Sequence, residues 1–588
     1  MRVKWFKYVV IIIVVGLTLI FTLFTSLVNK KDISSYISKQ TDSEITFESY
    51  GLSFYPELSL KLTNVGYDDS KTAKAKIKEL SISFSMEDLL FDFNPTIKSI
   101  YLTQPNITIY PTNKSNEKVE VNKSSNIIDI KSLYVQNAKL TYDKYIVSNL
   151  DLHLGIKDSI LDVKSLHLKT WNAIKDIKMK GKIDLNKQNT FYDIDVSFEK
   201  SSLLKIAQKL NIDLPKLKDK HALQELSFFT KIQGNSKKLY FKDSKIHLDE
   251  SLIKFESEIN NLNPHLMKNK ISIDKINLNR YLEETNTTTS TPNYKPIFAV
   301  LRKMEHSSNL SIKELKIKNL HLSNVSLEAK VSKGKVDINP LTFELNKGNF
   351  KGEYQIDVRK NKPNVILKQR ARDVGISQFI DKNTNILKGV MNADLNLKFS
   401  GYKQKDITRT LKGTKKMWGK NIILEEYDVD KILAKFEETK KVNLLDVGAI
   451  FIAGPFAGLL TQGSKFALLK NEVDKKGKTE IKAFSSVWTF KNNKAVAKDV
   501  AVKTSKNIIV LKGAINLSNK KFDDIQIAVL DKNRCAKFMQ SFEGDLTKND
   551  IKLKENVAST FLSPLTGIFE SAGKLFNDCK PFYSGNIK

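Results

Sequence analysis

Residues 315–345 read LKIKNLHLSNVSLEAKVSKGKVDINPLTFEL, and apolar and polar side chains alternate through most of this stretch. A side-chain period of two is typical of β-strands with one buried face and one wet face. Turns near Asn319 and Asn324 are expected to divide the stretch into short strands. The pattern predicts an antiparallel meander in which the apolar residues share faces: Leu315, Ile317, Leu320, Leu322, Val325 and Leu327.

The same alternation recurs along much of the chain, for example at Leu58, Leu60 and Leu62 and again at Ile271 and Ile273. Strands of this kind, separated by turns, favour a mainly β fold built as an antiparallel sheet.

A motif with an I-K-x-L opening, an alternating strand, an asparagine and then another strand occurs at 130–142 and at 312–325, and less clearly near 97–109. Repetition of a hairpin-sized unit favours lateral stacking of strands. We therefore expect the sheet to be elongated.

Two polar stretches interrupt the alternation. Residues 111–126 are expected to form a loop, and residues 283–296 (EETNTTTSTPNYKP) are rich in Thr, Asn and Pro, which cannot build a core. We place the domain boundary at 283–296, between a β-rich region at 32–282 and a second β-rich region at 297–588.

Helical spacing of apolar residues predicts a few short helices inserted into the β pattern. They fall at 33–41, 202–210, 294–304 and 427–440, the last within a helical insertion at about 425–469.

Residues 444–469 form a long apolar run that contains Asp446, Pro455 and four glycines. Three interpretations stay open: a second membrane span, a re-entrant or membrane-touching hairpin, and a helical hairpin that caps the sheet. The charge, the proline and the glycines favour the cap. Residues 557–576 are similarly open, either as an amphipathic segment or as a helix packed on the sheet.

The N-terminal segment 1–31 contains an uncharged apolar stretch at 8–28, long enough to cross a bilayer as a helix. No A-x-A pattern follows it, so an uncleaved transmembrane anchor is favoured over a signal peptide. Arg2, Lys4 and Lys7 precede the stretch, which favours a cytoplasmic N-terminus with the body across the membrane.

The formal net charge of +31 raises the question of a nucleic-acid partner. Lys outnumbers Arg 88 to 8, although Arg is the residue suited to bidentate contacts with phosphate and guanine. The lysines are also spread along the chain, so we expect no nucleic-acid binding. Compositional drift in an AT-rich genome, or a basic field facing anionic lipid, would each account for them.

The sequence contains no common catalytic motif. None of its seven histidines has metal-ligand spacing, and neither a G-x-S-x-G elbow nor a Walker A loop occurs. His153 and His321 fall within strand patterns and are expected at exposed strand positions. We therefore expect no enzymatic activity, metal or cofactor.

The two cysteines, Cys535 and Cys579, form no metal motif. They can form one disulfide or remain as two buried thiols. An oxidising compartment outside the cytoplasm favours the disulfide, which would stabilise the fold by roughly 4 kcal/mol in the chain-entropy model.

A long sheet with one apolar face must cover that face. The predicted helices are too few for this, so a curved sheet would leave an apolar groove suited to acyl chains. The alternative is a β-sandwich whose apolar faces pack together. The groove hypothesis assigns the lining to Leu58, Leu60, Leu62, Ile271, Ile273, Leu315, Ile317, Leu320, Leu322, Val325 and Leu327.

The order of these elements resembles the AsmA family of Gram-negative envelope proteins. The resemblance is carried by the basic start and apolar segment, GLSFYPELSLKLTNVGY (51–67), AKIKELSISFSMEDLL (75–90), IKSIYLTQPNITIY (97–110), ISIDKINLNRYL (271–282), VSKGKVDINPLTFELNKGNFKGEY (331–354), VNLLDVGAIFIAGPFAGLLTQG (442–463) and CKPFYSGNI (579–587).

The resemblance implies an inner-membrane anchor and a periplasmic body similar to chorein-type, bridge-like lipid transfer proteins. It further implies a groove that guides phospholipids between the inner and outer membranes, in support of outer-membrane biogenesis and envelope integrity, and it supplies no catalytic residues. The expected partners are phospholipids, the inner membrane, and outer-membrane or other envelope proteins. Two alternatives stay open: a scaffold or assembly factor for outer-membrane proteins, and an envelope enzyme acting on lipid.

Overall fold

A computed structural model describes most of the chain between residues 30 and 587. The described residues are 30–31, 34–35, 44–53, 57–69, 73–85, 97–110, 130–143, 145–184, 191–214, 216–261, 263, 266–282, 295–376, 387–425, 427–439, 477–545, 550–553 and 581–587. This part of the chain is mainly β and mostly antiparallel, with few helices, as the alternation predicted. It divides into two compact units, one up to Pro264 with Arg280–Glu284 and one comprising His265–Asn279 and the chain from Thr285.

The strands of the first unit lie in one sheet, and each pairs with its neighbour mainly in the antiparallel sense. The exceptions are β5 and β6, which pair with β7 in parallel. The strands are β1 (Glu44–Thr46), β2 (Ser49–Ser53), β3 (Ser59–Asp69), β4 (Ala73–Phe84), β5 (Ile97–Thr103), β6 (Asn106–Ile109), β7 (Ile130–Tyr142), β8 (Tyr145–Lys157), β9 (Ile160–Trp171), β10 (Ile174–Asp184), β11 (Phe191–Ser201), β12 (Leu226–Asn235), β13 (Lys238–Leu248) and β14 (Ser251–Asn260).

The second unit has the same organisation, with one parallel pair between its first two strands and antiparallel pairs after it. The strands are β15 (Leu266–Asn277), β16 (Glu305–Ile317), β17 (Leu320–Ser332), β18 (Lys335–Leu345), β19 (Gly348–Asp357), β20 (Asn364–Gly375), β21 (Leu387–Lys388), β22 (Val390–Ser400), β23 (Lys412–Glu425), β24 (Lys478–Lys491), β25 (Lys494–Lys503), β26 (Ile508–Asn516), β27 (Phe522–Leu530), β28 (Ala536–Asp545) and β29 (Asp550–Leu553). Parallel strands need a long crossover, and the chain between β15 and β16 supplies it.

Two-residue turns with positive φ at both positions connect several hairpins. Asn172 and Ala173 join β9 to β10 with φ of 46° and 71°, and Asn346 and Lys347 join β18 to β19 with φ of 49° and 68°. Such turns match the twist of the flanking strands, and Asn tolerates this backbone better than most residues. The abundance of Asn in the sequence therefore has a local structural use.

Three of the predicted helices are confirmed: α1 (Leu203–Lys209), α2 (Lys295–Leu301) and α4 (Val429–Thr439). The hydroxyl of Ser202 caps α1 by accepting a hydrogen bond from the Lys205 backbone N–H. The short helix α3 (Gln404–Thr410) was not predicted, because its polar sequence has no apolar periodicity.

The turn predicted near Asn319 is confirmed, whereas the turn predicted near Asn324 is wrong. Asn324 lies inside β17 with φ of 51°, where the register with β18 shifts. A single residue with positive φ produces a β-bulge, and the strand continues beyond it. A turn that reverses the chain also needs residues that are not paired with a neighbouring strand. For the same reason residues 130–142 form the single strand β7 rather than a hairpin.

No helix within the described ranges is long and apolar enough to cross a membrane. The predicted anchor at 8–28, most of 33–41, and the segments 444–469 and 557–576 lie outside the described residues.

Candidate functional site

The predicted apolar residues of β16 and β17 lie directly opposite one another. The register pairs Leu315 with Leu322 and Ile317 with Leu320. It also pairs Leu310 with Leu327 and Ile312 with Val325. Directly opposed residues share one face of a sheet. Strict alternation would place Leu310 and Ile312 on the opposite face from Leu315, but the alternation is interrupted between them. Two consecutive residues of β16, Lys313 and Glu314, are both exposed, and Asn324 of β17 has φ of 51°. The apolar pairs on either side of this interruption therefore form one continuous surface.

This surface continues onto β15 and β18. Ile271 and Ile273 of β15 pair with Leu310 and Ile312. Leu327 and Leu322 pair with Leu341 and Leu345 of β18. We call this surface the second-unit face, and it comprises Ile271, Ile273, Leu310, Ile312, Leu315, Ile317, Leu320, Leu322, Val325, Leu327, Leu341 and Leu345.

The first unit carries a comparable row that crosses the sheet from strand to strand. We call it the first-unit row, and it comprises Leu52, Leu60, Ile82, Ile100, Leu133, Leu154, Val163, Gly181, Ile194, Ile232 and Phe241. Of the residues predicted from the sequence, Leu60 belongs to this row and Leu62 lies on the same strand. Leu58 precedes β3, where its carbonyl accepts a hydrogen bond from the Phe84 N–H.

The side chains of the second-unit face are mostly half-buried. Ile312 and Val325 are 8% and 6% exposed, whereas Leu310, Leu315, Leu322 and Leu327 keep intermediate exposure. These four leucines therefore keep part of their surface accessible.

A closed core in the same unit shows the contrast. Leu433 of α4, Trp488 of β24 and Ile525 of β27 belong to one cluster and are each 0% exposed. The unit therefore closes its core near α4, while the surface on β15–β18 keeps accessible apolar area.

Three polar side chains interrupt the second-unit face at one end. Asn269 on β15 is opposite Ser308 on β16, two residues along the register from the pair Ile271–Leu310 and on the same face. His306 Nε2 lies 2.6 Å from Asn269 Nδ2 and 2.7 Å from Ser308 Oγ. Burial lowers the pKa of His306, so the imidazole is neutral near pH 7.

A second polar pair lies on β19 and β20. Gln369 Nε2 donates a hydrogen bond of 2.6 Å to Tyr354 Oη, and burial raises the pKa of this phenol. The Tyr354 ring covers Gly352, since a Cβ built on that glycine would lie 2.7 Å from the ring. The aromatic ring thus covers the backbone at a position that has no side chain of its own.

Lys415 of β23 is opposite Leu395 on one side and Trp488 on the other. Burial lowers the pKa of Lys415 to about 8, because apolar surroundings disfavour the charged form.

Sequence reasoning did not single out His306, Asn269, Tyr354 or Lys415. His306 and Ser308 alternate in step with Leu310 in the sequence. This spacing of two was the signal that could have placed them on the same face of the strand as the apolar residues. His321, by contrast, is at an exposed position, as predicted. The same prediction for His153 is wrong, because its imidazole is half-buried and stacks on the ring of Tyr134.

No cluster of metal-binding side chains occurs among the residues that the structure describes. Cys535 is buried and disulfide-bonded. Cys579, the other cysteine of the sequence, lies outside the described ranges.

The sequence profile of the AsmA family matches residues 122–492. This segment is more than half of the chain, and it includes all strands from β7 to β24 and the whole second-unit face. No curated protein and no solved structure matches the chain. On the family match, the chain belongs to the AsmA family.

Proposed function

We propose that this protein binds the acyl chains of phospholipids on its apolar faces and guides phospholipids between the inner and outer membranes. In this proposal residues 8–28 anchor it in the inner membrane, its body lies in the periplasm, and it has no enzymatic activity. Membership of the AsmA family supports a role in the bacterial envelope. The role would be to support outer-membrane biogenesis and envelope integrity.

The observation that carries the proposal is the second-unit face, where apolar side chains in register keep accessible surface. Contiguous accessible apolar surface on a protein marks a place where something apolar binds. Backbone groups beneath such a face are paired within the sheet, so an acyl chain would meet few unpaired polar groups. Burial of each methylene contributes about 0.8 kcal/mol, so a whole chain gains enough to leave water.

Curvature of the sheet would turn the face into a groove. β-bulges increase local twist and bend a strand, and register shifts occur on both sides of β18. In such a groove the acyl chains stay on the apolar surface and the headgroups stay in water. The protein would then be a passive guide, and a gradient or a partner would set the direction of transfer.

Site-specific photo-crosslinking in the full-length protein tests this proposal. A benzophenone amino acid at Leu322 on the face is compared with the same group at His321, its exposed neighbour on the opposite side of β17. We expect phospholipid adducts at position 322 and few at position 321.

Equal labelling at the two positions would indicate adsorption to the surface and contradict the proposal. Adducts with outer-membrane proteins at position 322, without lipid, would instead support the assembly-factor alternative.

A further inference from the structure

The Asn269–His306–Ser308 cluster consists of polar side chains whose neighbours in the register are apolar. Ser308 is opposite Ala329 of β17, and His306 is opposite Met267 of β15 and Val331 of β17. Polar groups on an apolar face cost free energy unless they are hydrogen-bonded, so each atom of the cluster needs a partner.

The placement of the Asn269 amide assigns the tautomer of His306. The Asn269 side-chain N–H donates to His306 Nε2 over 2.6 Å, and the Ser308 hydroxyl lies 2.7 Å from the same nitrogen. Nε2 is therefore an acceptor, and in a neutral imidazole the other nitrogen, Nδ1, carries the proton.

This Nδ1–H is the unusual atom of the cluster. It is shielded from solvent and has no hydrogen-bond partner among the described residues. A shielded donor of this kind is satisfied when a ligand brings an acceptor oxygen to it. The residues opposite His306 in the register are Met267 and Val331, and the flexible thioether of Met267 can move aside to admit such a ligand.

We propose that the His306 cluster recognises the ester carbonyl of a glycerophospholipid whose acyl chains lie on the second-unit face, an inference that rests on the proposed function. The ester carbonyl is the polar atom nearest to the acyl chains. A phosphate would bring a full charge into apolar surroundings, and an ether oxygen is a weak acceptor, so both fit the site less well. The cluster thus selects ester-linked lipids at this position.

A local competition experiment on the full-length protein tests the proposal. A benzophenone amino acid at Leu310, two residues from Ser308 on the same face, captures lipid near the cluster, and one at Leu60 captures lipid on the first-unit row. The protein in mild detergent is given equal amounts of diester and diether phosphatidylethanolamine with the same hydrocarbon chains. The mass of each adduct identifies which lipid was captured.

At position 310 we expect the diester to be captured roughly two- to tenfold more than the diether, the range that one net hydrogen bond supplies. At position 60 we expect no preference. His306→Leu should abolish the preference at 310 while lipid is still captured there. His306→Gln, which keeps a donor, should retain part of it, and His321→Leu on the opposite side of β17 should leave it unchanged.

Equal capture of the two lipids at position 310 in the wild-type protein would overturn this inference and leave the proposed function intact. A preference that survives His306→Leu would also overturn it. Absence of lipid adducts at both 310 and 60 would instead contradict the proposed function itself.

Discussion

Lys415 is a basic residue on the apolar side of β23, between Leu395 and Trp488 in the register. Its pKa is lowered to about 8 by burial, whereas an unfolded chain has the ordinary value near 10.5. Below pH 8 the lysine is charged in both states, and burial makes that charge cost free energy in the folded state. Between pH 8 and 10.5 the unfolded state binds more protons, so stability rises with pH.

We therefore expect Lys415→Met to stabilise the protein at pH 7 by about 1–3 kcal/mol and to remove the rise between pH 8 and 10.5. Chemical denaturation followed by tryptophan fluorescence at pH 7 and pH 10.5 measures both effects. The exposed neighbour Lys420 supplies the control as Lys420→Met. Equal stability of wild type and Lys415→Met at pH 7 would contradict the account of a costly buried charge.

The environments of His306 and Lys415 could be predicted only in part. Parity along β16 places His306 with Leu310, so its face was within reach of the sequence. Its contact with Asn269 depends on the parallel pairing of β15 with β16, whose register no local pattern fixes. Lys415 likewise acquires its surroundings from Leu395 and Trp488, which are distant in sequence.

At the scale of single elements, the turn between β9 and β10 contains a residue in a costly conformation. Ala173 has φ of 71°, a region that a Cβ disfavours by about 1–2 kcal/mol and that glycine adopts freely. We expect Ala173→Gly to stabilise the first unit by up to about 1 kcal/mol. The substitution relieves the strain at this φ, and part of that gain is offset because glycine gives the unfolded chain more conformational entropy to lose on folding. Thermal unfolding compares this variant with Ala173→Val, which should be less stable than wild type; the reverse order would be inconsistent with the turn.

The closed core and the apolar face should respond differently to truncation. Leu433 on α4 is fully buried, so Leu433→Ala should destabilise the second unit by about 2–5 kcal/mol. Leu322 is half-buried, so Leu322→Ala should cost clearly less, about 1 kcal/mol, because less area is lost from contact. Denaturation midpoints of the two variants test this, and an equal loss would mean that Leu322 belongs to a closed core.

The strands themselves were the most predictable elements. Apolar and polar residues alternate in the sequence wherever one face of a strand is exposed to solvent. The helices α1 and α4 were predictable for the same reason at a different period. The bulges at Asn137 and Asn324 were not, since an asparagine with positive φ serves a bulge and a turn equally well and only the partner strand distinguishes them.

At the scale of the whole molecule, two β-rich units each present apolar side chains aligned from strand to strand. The family match extends from β7 to β24, so it includes strands of both units. Apolar side chains that stay accessible contribute less to folding stability than those in a closed core. An acyl-chain ligand that covers them would account for the accessible apolar surface. The central claim is therefore that this surface is occupied by phospholipid.

The most direct measurement is the amount of phospholipid that co-purifies with the full-length protein, per mole of chain, in mild detergent. The variant with Leu315→Asp and Leu322→Asp places two charges on the second-unit face, and the variant with Lys316→Asp and His321→Asp places two on the exposed side of the same strands. We expect at least one phospholipid per chain for the wild type and for the second variant. The first variant, provided that it is folded, should carry roughly fivefold less phospholipid. A wild-type protein that carries no phospholipid, or equal amounts on the two variants, would contradict the account.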